Sequence, residues 1–239
     1  MDKRAYIRDE FSKIQIELSE KQAEQFEQYY EMLIAKNEVM NLTAITEFEE
    51  VVQKHFIDSV MIKEVRELGD NEKWIDVGTG AGFPGIPLKI VYPQLQVTLL
   101  DSLNKRVKFL QEVVDALGLE QVEALHGRAE EYAKKAEYRE QYDCCVSRAV
   151  ANLASLSEYC LPFVKMGGAF VPYKSGKIQE EIEAAGKAVE ILGGWIGQRK
   201  EFMLPGSDMY RCLLYIEKVK ATAKKYPRKA GMPTKEPLH

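Results

Sequence analysis

The stretch WIDVGTGAGFPGIPLKI, residues 74–90, sets four glycines and two prolines between two apolar runs. The first run predicts a strand, the glycines a loop of positive φ, and GIPLKI a helix. Pro84 and Pro87 suit a first helical turn, where a missing N–H costs nothing. Strand, glycine loop and helix N-terminus together make the ligand-binding corner of a doubly wound sheet. Such a corner needs more strands and helices in alternation to cover it.

The downstream sequence supplies them. WIDVG, VTLLD, VEALHG, YDCCVSRAV and AFVPYK read as strands. NKRVKFLQEVVDALG, ANLASLSEYCLPFV and IQEEIEAAGKAVEILGG read as the helices between and after them. Strands alternating with helices predict βαβ units and a mainly parallel sheet. The last two strands, IGQRKEFML and RCLLYIEKV, are separated only by PGSDMY. That loop permits an antiparallel hairpin but no helical crossover. The fold class is therefore α/β: a Rossmann-like, mainly parallel twisted sheet with an antiparallel final hairpin. Residues 1–70 hold no glycine before Gly69 and read as a helical N-terminal extension, with Ser19 as an N-cap. The expected division is 1–70 helical, 71–220 the α/β domain, and 221–239 a basic tail.

The compartment follows from what is missing. No apolar run approaches the roughly 18 residues of a membrane span. The N-terminus MDKRAYIRDEFSKIQ is charged and lacks a signal-peptide core. Cys144, Cys145, Cys160 and Cys212 show no CxxC spacing, so neither disulfides nor a metal site are expected. A cytoplasmic monomer is the expectation. Charge is unevenly spread: the chain carries −4, but residues 218–239 hold seven basic residues and one acid. A tail of +6 on a body of −10 points to a polyanionic partner. In the tail, Lys224, Lys225, Arg228 and Lys229 are candidates for phosphates and Tyr226 for base stacking. Its prolines predict an extended segment that orders on that polyanionic partner.

Two fingerprints overlap in the loop. Gly80, Gly82 and Gly85 satisfy the dinucleotide pattern, whereas Gly78, Gly80 and Gly82 form G-x-G-x-G with Asp76 just ahead. An acid there repels a pyrophosphate and suits a cationic ligand, which favours S-adenosylmethionine over NAD. Asp101 ends the second strand and is placed to accept ribose hydroxyls. Ala129 and Glu130, in HGRAEEY after the third strand, stand where adenine would lie.

DVGTGAGFPGIPLKI, DSLNKRVKFL, GRAEEY, VSRAVANL and KKYPRKAGMPTKEPL, with NLTAIT and KHFIDSV before them, occur together and in order. In this the chain resembles the RsmG/GidB family, the bacterial methyltransferases of guanine N7 in 16S ribosomal RNA. The resemblance runs from about residue 20 to the C-terminus. It implies a class I methyltransferase fold, S-adenosylmethionine as cofactor, and one guanine near the decoding site as target. The partner it implies is 16S ribosomal RNA in the small ribosomal subunit or its assembly intermediate. It carries cofactor contacts onto Gly78, Phe83, Ala129, Glu130 and Arg148. Arg148, after an apolar strand, is the residue expected to position the reacting groups. His55 and Asp58, three apart on one helix face, are candidates to touch RNA or brace the loop. Lys174 in VPYKSGK is another RNA candidate, although Ser175 here separates it from Gly176. Guanine N7 has a free lone pair, so the chemistry needs no general base, and the sequence offers no obvious one. The competing readings are a non-catalytic ribosome-assembly factor and an NAD-linked oxidoreductase.

Overall fold

A computed structural model describes residues 1–148, 151–176 and 178–239. Its centre is a seven-stranded sheet of order β3-β2-β1-β4-β5-β7-β6. The strands are β1 Lys73–Val77, β2 Gln96–Asp101, β3 Val122–His126, β4 Tyr142–Ser147, β5 Val164–Lys174, β6 Gly194–Met203 and β7 Tyr210–Lys218. The first five pair in parallel, and β7 runs antiparallel to both β5 and β6. The short PGSDMY link does make the expected hairpin. The strand read over 142–150 ends at Ser147, and Ala149 and Val150 lie outside the described residues.

Both faces of the sheet are covered, so successive strand residues enter two different cores. Trp74, Leu99, Cys144 and Val171 face one; Ile75, Leu100, Cys145 and Phe170 face the other. The helices α5 (Gly85–Val91) and α6 (Asn104–Ala116) lie in the first layer, while α8 (Leu153–Cys160) and α9 (Gln179–Ile191) lie in the second.

The N-terminal helices α1 (Lys3–Lys13) and α2 (Glu20–Met40) share the first core with the sheet. Phe11, Phe26, Phe56 and Tyr29 touch one another in that order and reach Phe83 of the glycine loop. Ser19 caps α2 in a reciprocal bond pattern with Gln22. Gln22 then donates to Ile90 O at 2.8 Å, and Gln25 to Leu117 O at 2.8 Å. Two side chains of α2 thus satisfy carbonyls left open where α5 and α6 end.

Residues 41–65 read as a turn and then helical periodicity, and the structure follows that order in one helical stretch whose winding changes along its length. It runs as α3 (Phe48–Val51), a π-helical turn (Val52–Ile57), α4 (Asp58–Val60) and a 3-10 turn (Met61–Glu64). The tail differs from its expectation. Arg139 donates to the carbonyls of Thr222, Ala223 and Tyr226, and Lys218, fully buried, bonds Thr222. Burial lowers the Lys218 ammonium to about 8, against the pull of Glu140. Beyond it the chain folds back over the second layer and ends in α10 (Met232–Lys235), because its carbonyls and its one aromatic find partners there.

The shared core has a measurable consequence. Phe26→Ala should cost about 3–5 kcal/mol, the usual loss for a fully buried aromatic. Urea unfolding should still show one transition. A separate early transition for the N-terminal helices would mean that they do not share the sheet's core.

Candidate functional site

The loop between β1 and α5 is held from beneath. Asp76, fully buried, accepts from Thr79 Oγ1 at 2.7 Å and from Gly85 N at 2.8 Å through one oxygen. Its other oxygen has no partner among the described residues. Burial raises its carboxyl to about 7, against those two bonds. Asp76 is therefore a brace under the loop, which corrects the expectation that it faces the ligand directly. Gly85 packs so closely that an added methyl would lie 2.4 Å from Leu99. Gly80 has φ +64° and open space beside it, as a loop that admits a ligand requires. Gly78 and Gly82 also have positive φ.

Asp101 closes the loop from the other side. It accepts Gly80 N at 3.0 Å and Leu103 N at 2.8 Å, one bond per oxygen. Oδ2 also faces Arg106 Nη1 at 3.5 Å, while Oδ1 keeps a further lone pair for a ligand hydroxyl. Beside it opens a cavity of about 210 Å³ bounded by Gly78, Ser102, Gly127, Ala129, Glu130 and Tyr159 among others. Gly78, Ala129 and Glu130 were expected here; Ser102 and Tyr159 were not. The lining fits the nucleoside part of S-adenosylmethionine, with Gly78 and Gly127 at its edge and an apolar floor of Val77, Leu100 and Leu156. Asp101 stands outside that lining, next in the chain to Ser102, which is part of it.

A second cavity, of about 610 Å³, lies next to the first, and Ala151 borders both. Lys54, His55, Asp58, Arg148, Lys174 and Arg211 are among its lining. Asp58, 1% exposed, receives Arg148 Nη1 at 3.2 Å and Arg211 Nε at 2.8 Å. Arg148 also donates to Lys54 O at 3.2 Å and contacts His55 Nδ1 at 3.1 Å. Nδ1 thus faces the Arg148 guanidinium, which can only donate, and Lys54 O at 3.1 Å, which can only accept. Nε2 lies 2.8 Å from Thr43 Oγ1. Burial first, and Arg148 second, lower the His55 imidazole to about 3. His55 stacks on Phe83 with centroids 4.5 Å apart, and Arg148 lies 5.0 Å over the same ring. Phe83, expected at the cofactor, is a buried plate beneath these two. Lys174 bonds Ala151 O at 2.7 Å and Glu181 at 2.5 Å.

His55, Asp58, Arg148 and Lys174 are thus brought together. The tail candidates are not with them. Lys224, Lys225 and Lys229 are exposed, but Tyr226 is buried and Arg228 is paired with Glu158, itself fully buried. The expectation that Tyr226 is free to stack and Arg228 free for phosphate is corrected accordingly. Arg211 was missed: Arg148 was marked because it follows an apolar strand, whereas Arg211 stands at the start of one.

The family profile described as rRNA small subunit methyltransferase G (GidB) matches residues 22–202. The chain belongs to that family. It is 56% identical over 223 residues to the ribosomal RNA small subunit methyltransferase G of Lachnoclostridium phytofermentans, covering 93% of this chain and 92% of that one. It is 50% identical to the same protein of Alkaliphilus metalliredigens over the whole of both chains. Among solved structures, a SAM-dependent methyltransferase from Aquifex aeolicus shares the fold, with TM-score 0.52, 21% identity, and 70% and 92% of the two chains covered. M. jannaschii TYW2 in complex with AdoMet does too, with TM-score 0.56, 15% identity, and coverage of 74% and 80%. The GidB match and the open loop together leave the oxidoreductase reading without support.

The depressed His55 imidazole sets a pH dependence. The unfolded chain takes up a proton below its ordinary 6.5, whereas the folded chain resists until about 3. Stability is full above 6.5 and is lost as pH falls toward 3. The slope is about 1.4 kcal/mol per pH unit. Asp76 acts oppositely between 3.8 and about 7, but it is common to wild type and variant. From pH 7 to pH 5 the wild type should lose about 2 kcal/mol more than His55→Gln in urea unfolding. Equal losses would mean the imidazole is not buried.

Proposed function

We propose that this protein transfers a methyl group from S-adenosylmethionine to N7 of a guanine in 16S ribosomal RNA. The observation that carries the reading is the junction of the two cavities at Ala151, one of cofactor type and one lined by cations. Family membership supports the substrate class. The resemblance supports the guanine near the decoding site.

When bound, S-adenosylmethionine supplies a methyl already activated on a sulfonium. The protein's part is to align. N7 must approach the methyl to roughly 3–3.5 Å, in line with the departing sulfur. Asp101 and the backbone around Gly78 and Gly80 would fix the nucleoside end, and Ala129 and Glu130 the adenine. Arg148 and Arg211 would hold RNA, through a phosphate or through guanine O6. Asp58 holds both guanidinium groups in place, so neither must be ordered when RNA arrives. Lys174, tied to Ala151 and Glu181, would support the border between the cavities. No proton must leave N7 before attack, which suits a site whose one histidine is held neutral. The cysteines suit no covalent route. All are buried, and burial raises Cys144 to about 12 and Cys212 to about 11.

Labelled S-adenosylmethionine incubated with small-subunit particles should label a single guanine, and mapping should place the methyl on N7. Label on an exocyclic amine, or none, overturns the reading. Arg148→Ala should abolish most transfer yet remain folded, because Arg211 still neutralises Asp58. Asp58→Ala should cost more stability, about 3–5 kcal/mol, since both cations lose their buried partner. Asp101→Ala should weaken S-adenosylmethionine by about 1.5–3 kcal/mol in calorimetry. Unchanged affinity would remove Asp101 from the ribose.

A further inference from the structure

We propose that the C-terminal segment from Arg228 to Thr234 is a strap that fixes the adenine-side wall of the cofactor cavity, and so sets cofactor affinity. This rests on the methyltransferase reading above. The wall is made by Glu130, on the single turn α7 (Ala129–Tyr132), and by Leu156 and Tyr159 on α8. A four-residue helix has little stability of its own, so Glu130 needs an outside hold.

The tail supplies that hold at several points. Gly231 N–H donates to Glu130 Oε1 at 2.9 Å. The Tyr159 hydroxyl shares a 2.7 Å bond with Thr234 Oγ1. Ser155 Oγ donates to Pro233 O at 2.6 Å. Arg228 clasps Glu158, the neighbour of Tyr159, through its backbone N–H and its guanidinium, at 2.6–3.1 Å. Glu158 is fully buried. A buried carboxylate without its cation is costly, so α8 and the strap must stay together. Arg139 anchors the chain just upstream, at Thr222, Ala223 and Tyr226. These contacts use the tail's arginine and its backbone on the protein itself. They reach the cofactor cavity, whereas the tail contributes no residue to the lining of the cation-lined one.

Two proteins and one native measurement test the strap. Gly231→Ala is the mild change: Gly231 has φ +82° and nothing within 4 Å of an added methyl, so only the turn is strained. Truncation after Pro227 is the severe change and leaves the Arg139 anchor intact. In calorimetry with S-adenosylmethionine, Gly231→Ala should raise Kd about tenfold, and truncation should raise it further. KM for S-adenosylmethionine should rise likewise, while KM for the RNA particle and kcat at saturating cofactor stay unchanged. General loss of structure would instead lower the active fraction and leave KM alone. By linkage, S-adenosylhomocysteine bound to the wild type should slow hydrogen exchange at the Gly231 amide. This last measurement decides the matter if the truncated chain does not fold. Unchanged cofactor affinity in Gly231→Ala, or Gly231 exchange indifferent to ligand, overturns the strap. So does weaker RNA binding with unaltered cofactor binding, which would make the tail an RNA arm. Failure of the wild type to bind S-adenosylmethionine at all would instead overturn the methyltransferase reading.

Discussion

The structure turns on a single buried carboxylate. Asp58 is 1% exposed and accepts two guanidinium groups, from Arg148 and Arg211, at sequence separations of 90 and 153. Alone, a charge so deep would be expelled or neutralised. Its partners come from the end of β4 and the start of β7, and Asp58 itself from the N-terminal helical segment. The three regions can satisfy their charges only when all are assembled. The cation-lined cavity is what their meeting encloses, so the cavity and the tertiary structure form together.

Topology explains why β7 can take part. In a parallel sheet the ligand edge collects the carboxyl ends of the strands. A strand that runs the other way brings its first residues there instead. Cys212 lies beside Lys174, the last residue of β5, and Leu213 beside Tyr173. Arg211, one residue earlier in the chain, therefore reaches the edge where Arg148 follows β4. The final hairpin is more than a cover for the sheet's open side, since it completes the site.

Much of this was legible in the sequence because its determinants are local. Alternating periodicities marked the strands and helices, and the glycine loop marked the cofactor corner. Asp101, Ala129 and Glu130 were singled out from their positions relative to strand ends, and Ala129 and Glu130 do line the smaller cavity. What escaped depends on partners far away in the chain. Arg211 drew no reading of its own, because nothing near it in the chain reveals Asp58. The charge count of the tail was correct, but a count cannot show that Arg228 is neutralised by Glu158, 70 residues earlier. Tyr226, flanked by basic residues and a proline, resembles a stacking platform, yet it joins the second core. The change of winding within residues 48–64 was equally hidden, since a π-turn leaves the overall pattern of a helix in place.

That π-turn has a consequence of its own. Across Val52–Ile57 the backbone bonds reach five residues back, as Asp58 N–H does to Gln53 O. The turn holds one residue more than an α-helix would use, a device often met at functional sites. Each residue of an α-helix advances roughly 100° around the axis. Removing any one residue between Val51 and Asp58 would let the segment relax into a smooth helix that still buries apolar groups. Asp58, beyond the absorbed residue, would keep its register, whereas His55, inside the turn, would be turned away from Phe83 and Arg148. The site is thus encoded in the spacing of the chain as well as in its side chains.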